Sequence, residues 1–235
     1  MSTSDLLKKL LFPRKCPFCG RILRQGPDGG VEYICSGCAQ TVFMYGRADV
    51  LPHEALEKVL KLYVPLKYTG PAKDAMLRFK FGGERWIFEP FAGLLHRYLE
   101  ANGGYGDIDL ITCVPLSAVR FAKRGYNQSE LVARKLSESS GMPFRMLLER
   151  TPGSGGMTSA ENFAGRAAEH RFAYKTGTPP LRGLRVLLVD DIFTTGSTLN
   201  ECAGILLANG AGYVNAACMM SGRQDIYDAA REESA

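Results

Sequence analysis

Two carboxylates and four hydroxyl groups lie close together in the segment from residue 186 to residue 198. The apolar run at 186–189 predicts a strand that ends in Asp190 and Asp191, and a glycine-containing loop then leads into a helical pattern. Because ligands of open α/β sheets bind beyond the carboxyl ends of the strands, we expect a binding site at this junction. Adjacent carboxylates accept hydrogen bonds from vicinal sugar hydroxyls, and a helix start favours a phosphate. The segment therefore predicts a sugar phosphate site, with polar donors from Thr194, Thr195, Gly196, Ser197 and Thr198.

Each half of this segment also has a plainer structural explanation. Ser197 or Thr198 together with Glu201 matches a capping box, and paired aspartates often cap the end of a strand. A P-loop is excluded because the Gly-Lys-Ser/Thr sequence that follows four spacer residues is missing. The presence of both halves in this order favours the ligand site over the two structural explanations.

The cysteines predict a second site. Seven cysteines in a chain without a secretory signal argue against a disulfide framework. Cys16 and Cys19 form one CxxC pair, Cys35 and Cys38 form another, and 15 residues separate the pairs. Two redox-active pairs are the alternative, but thioredoxin-like chemistry needs only one. The spacing favours a structural zinc ion held by four thiolates, with no position left for water. The other cysteines, Cys113, Cys202 and Cys218, lie in apolar contexts that predict burial.

The composition narrows the class of protein. With 235 residues, 46% hydrophobic and 23% charged, the chain is predicted to be a soluble globular protein rather than a collagen-like, low-complexity or disordered one. No apolar run approaches the roughly 20 residues of a membrane span, so the expected location is the cytoplasm. The formal net charge is +5, and residues 1–47 carry seven basic and three acidic side chains. Such an excess suits phosphate-bearing ligands or nucleic acid, or else a solvated basic face.

Strands and helices alternate along most of the chain. This alternation predicts an α/β fold with a mainly parallel sheet and helices on both faces, preceded by a small zinc ribbon. We expect a ribbon at 1–47, the α/β domain at 48–222 and an acidic tail at 223–235. Within these three segments the patterns predict strands at 108–114, 146–148, 185–189 and 213–219. They predict helices at 49–63, from Gly70 onward, from Asn127 to Gly141 and at 197–209. A turn is expected at 26–30 and a basic loop at 115–125.

Residues 186–198 closely resemble the phosphoribosyl-pyrophosphate binding motif of type I phosphoribosyltransferases. From about residue 16 to residue 223 the chain resembles the ComF family of competence-related proteins, in which a four-cysteine ribbon precedes a phosphoribosyltransferase domain. The other segments that carry the resemblance are Tyr68-Thr69-Gly70-Pro71, Phe79-Lys80-Phe81-Gly82, Val114-Pro115-Leu116, Arg124-Gly125-Tyr126-Asn127-Gln128 and Asn209-Gly210-Ala211.

The resemblance implies roles for individual residues. Asp190 and Asp191, the candidate catalytic pair, would bind the ribose hydroxyls, and residues 194–198 would hold the 5-phosphate. Magnesium would bridge the hydroxyls and the pyrophosphate, taking most of its ligands from substrate and water. The loop at 115–124 would face the pyrophosphate, whose negative charge grows as it leaves, and its cations Arg120, Lys123 and Arg124 suit that task.

One segment departs from the family pattern. After Arg150 the family has a glutamine and then an arginine at a helix start, and both are missing from residues 151–162, with Arg166 and Arg171 nearby in uncertain register. This region covers the reacting centre in phosphoribosyltransferases, so the missing residues bear on whether the protein turns over its ligand. The binding motif at 186–198 is unaffected.

Three functions are compatible with these features. The resemblance implies a protein that binds phosphoribosyl pyrophosphate and acts in DNA uptake for natural transformation or related DNA processing, with single-stranded DNA as a partner. Phe79, Phe81, Tyr126, Lys80 and Lys123 have the chemistry to bind a single strand, although such aromatic residues are also typical of a core. The alternatives are an active phosphoribosyltransferase of nucleotide metabolism with an unidentified acceptor, and a scaffold whose ribbon docks a DNA-uptake helicase or another competence protein.

Overall fold

A computed structural model describes residues 13–23, 33–42, 56–151 and 172–223 of the chain. Five predicted features lie wholly or partly outside these residues: much of the ribbon at 1–47, the turn at 26–30, the start of the helix predicted at 49–63, the segment at 152–171 with Arg166 and Arg171, and the acidic tail after residue 223. The described elements are α1 (Ser36–Thr41), β1 (Leu62–Tyr63), β2 (Leu66–Lys67), α2 (Gly70–Phe81), a 3₁₀ turn (Arg85–Ile87), α3 (Phe88–Ala101), β3 (Leu110–Cys113), α4 (Ala118–Arg124), α5 (Gln128–Ser140), β4 (Leu148–Arg150), β5 (Phe172–Tyr174), β6 (Arg185–Phe193), α6 (Ser197–Ala208) and β7 (Tyr213–Ser221).

A parallel sheet forms the centre of the fold. Its strands follow the order β1, β7, β6, β3, and β2 also pairs with β7. Leu188 of β6 lies opposite Thr112 of β3 on one side and Ala216 of β7 on the other. Residues 186–189 are fully buried, as expected for a central strand covered by helices. The predicted mainly parallel α/β fold is therefore confirmed, and all carboxyl ends of the sheet strands lie at one edge.

The helices that flank this edge begin and end where the sequence predicts. Helix α2 opens at Gly70 and buries Ala72, Ala75, Met76 and Phe79, which recur at helical spacing. Helix α5 begins at Asn127, whose side chain accepts the Ser129 N–H at 3.1 Å, and it ends at Gly141 with a φ of 75°. That left-handed conformation suits glycine. Helices α3 and α5 pack against each other, and both contact the sheet.

Four predictions about elements were wrong in detail. Strand β6 does not end at residue 189 but continues to Phe193, because Asp190 and Ile192 still pair with β7. The basic loop at 115–125 contains helix α4, which Ser117 caps and Gly125 ends at a φ of 75°. The described part of the helix predicted at 49–63 is a turn followed by β1, which pairs with β7. The short strand predicted at 146–148 is β4 at Leu148–Arg150, paired with β5.

The described part of the cysteine-rich segment packs against the α/β body. The rings of Phe18 and Phe91 lie with centroids 6.2 Å apart, and Phe18 is only 7% exposed. The guanidinium of Arg78 in α2 donates a hydrogen bond to the carbonyl of Pro17. The first CxxC pair is therefore anchored to α2 and α3. Within the described residues, no helix combines the length and apolarity that a bilayer crossing requires.

Candidate functional site

The two adjacent carboxylates lie near the carboxyl end of the central strand β6. Asp190 Oδ1 accepts hydrogen bonds from the Ser129 hydroxyl at 3.1 Å and from the backbone N–H of Asp191 at 2.8 Å. Burial, followed by the negative charge of Asp191, raises the pKa of Asp190 to about 7. Continued pairing of β6 with β7 fixes the backbone beneath the pair. The Asp190 carboxylate is thus held by Ser129 and by its own strand, and no pattern in the sequence indicates the contact with Ser129.

A lysine from helix α2 neutralises one of these carboxylates. Lys80 Nζ lies 2.7 Å from Asp191 Oδ2, and the two side chains are only 14% and 19% exposed. The sequence predicts Lys80 as a nucleic-acid contact, whereas in the structure it forms an ion pair with Asp191 of the predicted ribose site. The only signal for this role was its place in the Phe79-Lys80-Phe81-Gly82 segment.

The loop between β6 and α6 has the form that the sequence predicts. Gly196 adopts a φ of 80°, a left-handed conformation that favours glycine, and α6 begins directly after it. The Thr195 hydroxyl lies 3.1 Å from the Ser197 hydroxyl and accepts the Ser197 N–H at 3.4 Å. The capping-box alternative is wrong, because the N-cap is Gly196, which has no side chain, and the Glu201 carboxylate accepts the Phe172 N–H at 3.2 Å. Helix α6 has twelve residues, and hydroxyl and N–H groups lie at its start. Thr194 precedes this start and Thr198 is the second residue of the helix.

A cationic cavity of about 710 Å³ adjoins the carboxylate pair. The three cations of the predicted pyrophosphate loop line it together with Lys80, which forms the ion pair with Asp191. Burial lowers the pKa of Arg124, and the charge of Asp191 acts in the opposite direction. Among the described residues, the lining includes four cations and no carboxylate: Tyr68, Leu77, Lys80, Phe81, Gly83, Arg120, Lys123, Arg124 and Tyr126.

The aromatic residues near this cavity divide into two groups. Phe79 is completely buried and stacks on Tyr126 with centroids 5.7 Å apart, so the idea that it stacks on a base is wrong. Phe81 is 69% exposed, and the Arg124 guanidinium lies 4.7 Å from its ring centroid. Phe81 and the edge of Tyr126 therefore remain as apolar surface for a ligand.

The four cysteines of the two CxxC pairs come together in one cluster. Their sulfur atoms all lie within 4.8 Å of one another, and Cys19 Sγ is 3.6 Å from Cys35 Sγ. Tetrahedral zinc with bonds of about 2.3 Å places its sulfurs about 3.8 Å apart, so the residues fit this ion. The Cys38 N–H donates to Cys35 Sγ at 3.4 Å, and this bond lowers the pKa of the Cys35 thiol to about 7. The other three cysteines are fully buried, as predicted.

Comparison with known proteins identifies the fold and its relatives. The family model described as the phosphoribosyl transferase domain matches residues 89–231, more than half of the chain. The chain belongs to the phosphoribosyltransferase family. Within that family its relatives are proteins named for competence and DNA utilization, which confirms the predicted ComF resemblance.

Three relatives illustrate the extent of the similarity. Competence protein ComFC of Streptococcus pneumoniae is 33% identical over 145 residues, which cover 61% of this chain and 60% of that protein. DNA utilization protein YhgH of Escherichia coli O6:H1 is 33% identical over 226 residues, covering 89% and 98%. Competence protein F of Haemophilus influenzae is 31% identical over 153 residues, covering 62% and 66%. The matched region thus spans less than two thirds of the first and third of these relatives and nearly all of the second.

Proposed function

We propose that this protein binds phosphoribosyl pyrophosphate at the carboxyl edge of its sheet and acts on single-stranded DNA in DNA uptake or related DNA processing. The observation that carries the proposal is the arrangement of three chemically different subsites side by side. Asp190 and Asp191 form an acceptor pair, residues 194–198 form a phosphate-type loop at a helix start, and Arg120, Lys123 and Arg124 line the adjoining cavity.

Each part of the ligand has a matching subsite. The ribose hydroxyls are donors for the two carboxylates, the 5-phosphate suits the N–H groups and hydroxyls of the loop, and the pyrophosphate suits the three cations. Carboxylate oxygens are also the ligands that Mg²⁺ prefers, so Asp190 and Asp191 fit an ion that arrives with the pyrophosphate. When bound, Mg²⁺ would supply positive charge to the pyrophosphate oxygens. The protein's own residues position the ribose and the two phosphate ends.

The DNA half of the proposal rests on the relatives and on charge. A protein named for competence and proteins named for DNA utilization match this chain over 83% to 89% of its length. Residues 61–85 carry six basic and two acidic side chains, and residues 1–47 carry a net charge of +4. Single-stranded DNA needs such a positive surface with exposed aromatic rings, and Phe81 supplies one. A DNA-uptake helicase or another competence protein is the protein partner that this role implies.

We also propose that the four clustered cysteines bind one structural zinc ion. The described residues of the ribbon include few buried apolar side chains, and four thiolates around one ion would supply its stability. Because Phe18 packs on Phe91, the ion would also fix the ribbon against the domain that carries the phosphoribosyl site.

Calorimetric titration with phosphoribosyl pyrophosphate, with and without Mg²⁺, tests the ligand directly. We expect saturable binding that depends on Mg²⁺ and that disappears in the double variant Asp190→Asn/Asp191→Asn. Ligand at about 100 times its dissociation constant should also stabilise the wild-type protein by roughly 2.7 kcal/mol against thermal unfolding. Asp74→Asn, which removes an exposed carboxylate from α2, is the matched control and should keep the full effect. Unchanged binding in the double variant would refute the ribose assignment.

A further inference from the structure

We infer that single-stranded DNA and phosphoribosyl pyrophosphate occupy the same cationic cavity between α2 and α4, so that each excludes the other. This inference rests on the proposed function, which gives the protein both ligands, and it goes further by assigning them one shared site. Bound phosphoribosyl pyrophosphate would then release DNA, and bound DNA would release phosphoribosyl pyrophosphate.

The charge of the cavity selects a polyanion. Four cations line it, and Lys80 is already paired with Asp191. Within the described part of the chain, no carboxylate forms an ion pair with Arg120, Lys123 or Arg124. Arg124 instead donates to the Gln128 amide oxygen at 3.1 Å. Three cations that face one cavity, none of them ion-paired within the described residues, favour a ligand that brings several negative charges.

The apolar part of the cavity favours a ligand that carries nucleobases. A pyrophosphate gains nothing from an exposed phenyl ring, yet Phe81 borders the cavity with 69% of its surface exposed. The Arg124 guanidinium lies against this ring, 4.7 Å from its centroid. An aromatic ring beside a planar guanidinium is a platform on which a base can stack while the neighbouring cations bind the flanking phosphates. The cavity thus combines the two features that a single-stranded polynucleotide needs.

Competition follows because both ligands need the same cations. Arg120, Lys123 and Arg124 come from one short helix, so they face one space of about 710 Å³. A pyrophosphate and a DNA backbone placed there together would bring like charges into contact and would share too few cations. By thermodynamic reciprocity, each ligand must weaken the binding of the other by the same factor.

The test measures binding of a fluorescently labelled oligothymidylate to the full chain by anisotropy. With phosphoribosyl pyrophosphate and Mg²⁺ added at about ten times the dissociation constant of that ligand, the apparent dissociation constant for the oligonucleotide should rise roughly elevenfold. Mg²⁺ alone, with ionic strength matched by sodium chloride, is the solution control. In the Asp190→Asn/Asp191→Asn variant the oligonucleotide should still bind, and phosphoribosyl pyrophosphate should no longer displace it.

Two further variants locate the shared site. Arg120→Ala/Lys123→Ala should weaken both ligands, whereas Lys175→Ala removes an exposed cation outside the cavity and should weaken neither. If both ligands bind and a complex containing both forms without loss of affinity, the shared site is wrong while the proposed function stands. If the oligonucleotide does not bind at all, both the shared site and the DNA half of the proposed function are wrong. If phosphoribosyl pyrophosphate does not bind, its half of the proposed function fails together with the shared site.

Discussion

Lys80 and Asp191 connect two parts of the site that come from distant segments of the chain. Their ion pair, with 2.7 Å between Nζ and Oδ2, joins the cationic cavity to the carboxylate pair on β6. Both side chains are mostly buried, so each depends on the other for compensation of its charge. The positive charge of Lys80 also lowers the pKa of neighbouring Asp190, against the larger effect of burial. Loss of this lysine should therefore affect both carboxylates.

Replacement of Lys80 by methionine should destabilise the ligand-free protein. The change leaves Asp191 without its cation in a poorly solvated position, and we expect a loss of about 1–3 kcal/mol in the free energy of unfolding. Urea denaturation at neutral pH measures this loss, and a double-mutant cycle with Asp191→Asn separates the pairwise part. Lys135→Met is the matched control, because its pair with Glu138 is exposed and should contribute less than about 1 kcal/mol. Equal losses in the two variants would contradict the importance of the Lys80 pair.

The raised pKa of Asp190 predicts opposite effects of pH on stability and on ligand binding. Its pKa rises from 3.8 to about 7 on folding, so the folded protein binds the proton more tightly than the unfolded chain. The associated stability is present at low pH and is lost as the pH rises from about 4 to about 7. Asp190→Asn should therefore stabilise the ligand-free protein at about pH 8, where wild-type Asp190 carries a half-buried charge beside that of Asp191. Thermal unfolding of wild type and variant across this range measures the effect.

The affinity for phosphoribosyl pyrophosphate should increase with pH, whereas the stability of the ligand-free protein decreases. Ribose hydroxyls donate best to an ionised carboxylate, so affinity should fall as the pH drops below about 7, by up to tenfold per pH unit. The ligand's own phosphates also titrate, and inorganic pyrophosphate measured over the same pH range controls for them. An affinity that rises on acidification, after this control, would mean that Asp190 acts as a protonated donor.

The zinc cluster predicts a local loss of structure when one ligand is removed. Purified wild-type protein should contain about one zinc ion per chain, and Cys35→Ser should lose it. Residues 1–47 should then become susceptible to limited proteolysis, while the phosphoribosyltransferase domain remains folded. Cys202→Ala, which changes a buried cysteine outside the cluster, should keep the metal. Metal analysis under reducing conditions that finds no zinc in the wild-type protein would refute the assignment.

The sequence predicted most of what is local and missed what depends on distant partners. Phe79 and Phe81 were both predicted as candidate DNA contacts, although the helical spacing in α2 puts Phe79 on the buried face and leaves Phe81, two positions away, exposed. Helix α4 escaped prediction because its seven residues span only two turns, too short for a helical repeat of apolar residues to stand out. The true end of β6 depends on hydrogen bonds to β7, which no pattern within β6 reveals. The Lys80 pair with Asp191 likewise joins α2 to β6 and required the folded structure.

The salt dependence of DNA binding should separate phosphate contacts from base stacking. On a single strand each neutralised phosphate contributes a slope of about −0.7 to the log–log plot of affinity against salt. Arg120→Ala/Lys123→Ala removes two cavity cations and should make the slope shallower by about 1.4 if each binds one phosphate. Phe81→Ala should instead lower the affinity by about 1–3 kcal/mol with little change in slope, because stacking releases few counterions. Anisotropy titrations at several salt concentrations measure both quantities. If affinity is the same at all salt concentrations, or if Phe81→Ala changes the slope and the double variant does not, then the cavity cations are not the DNA contacts.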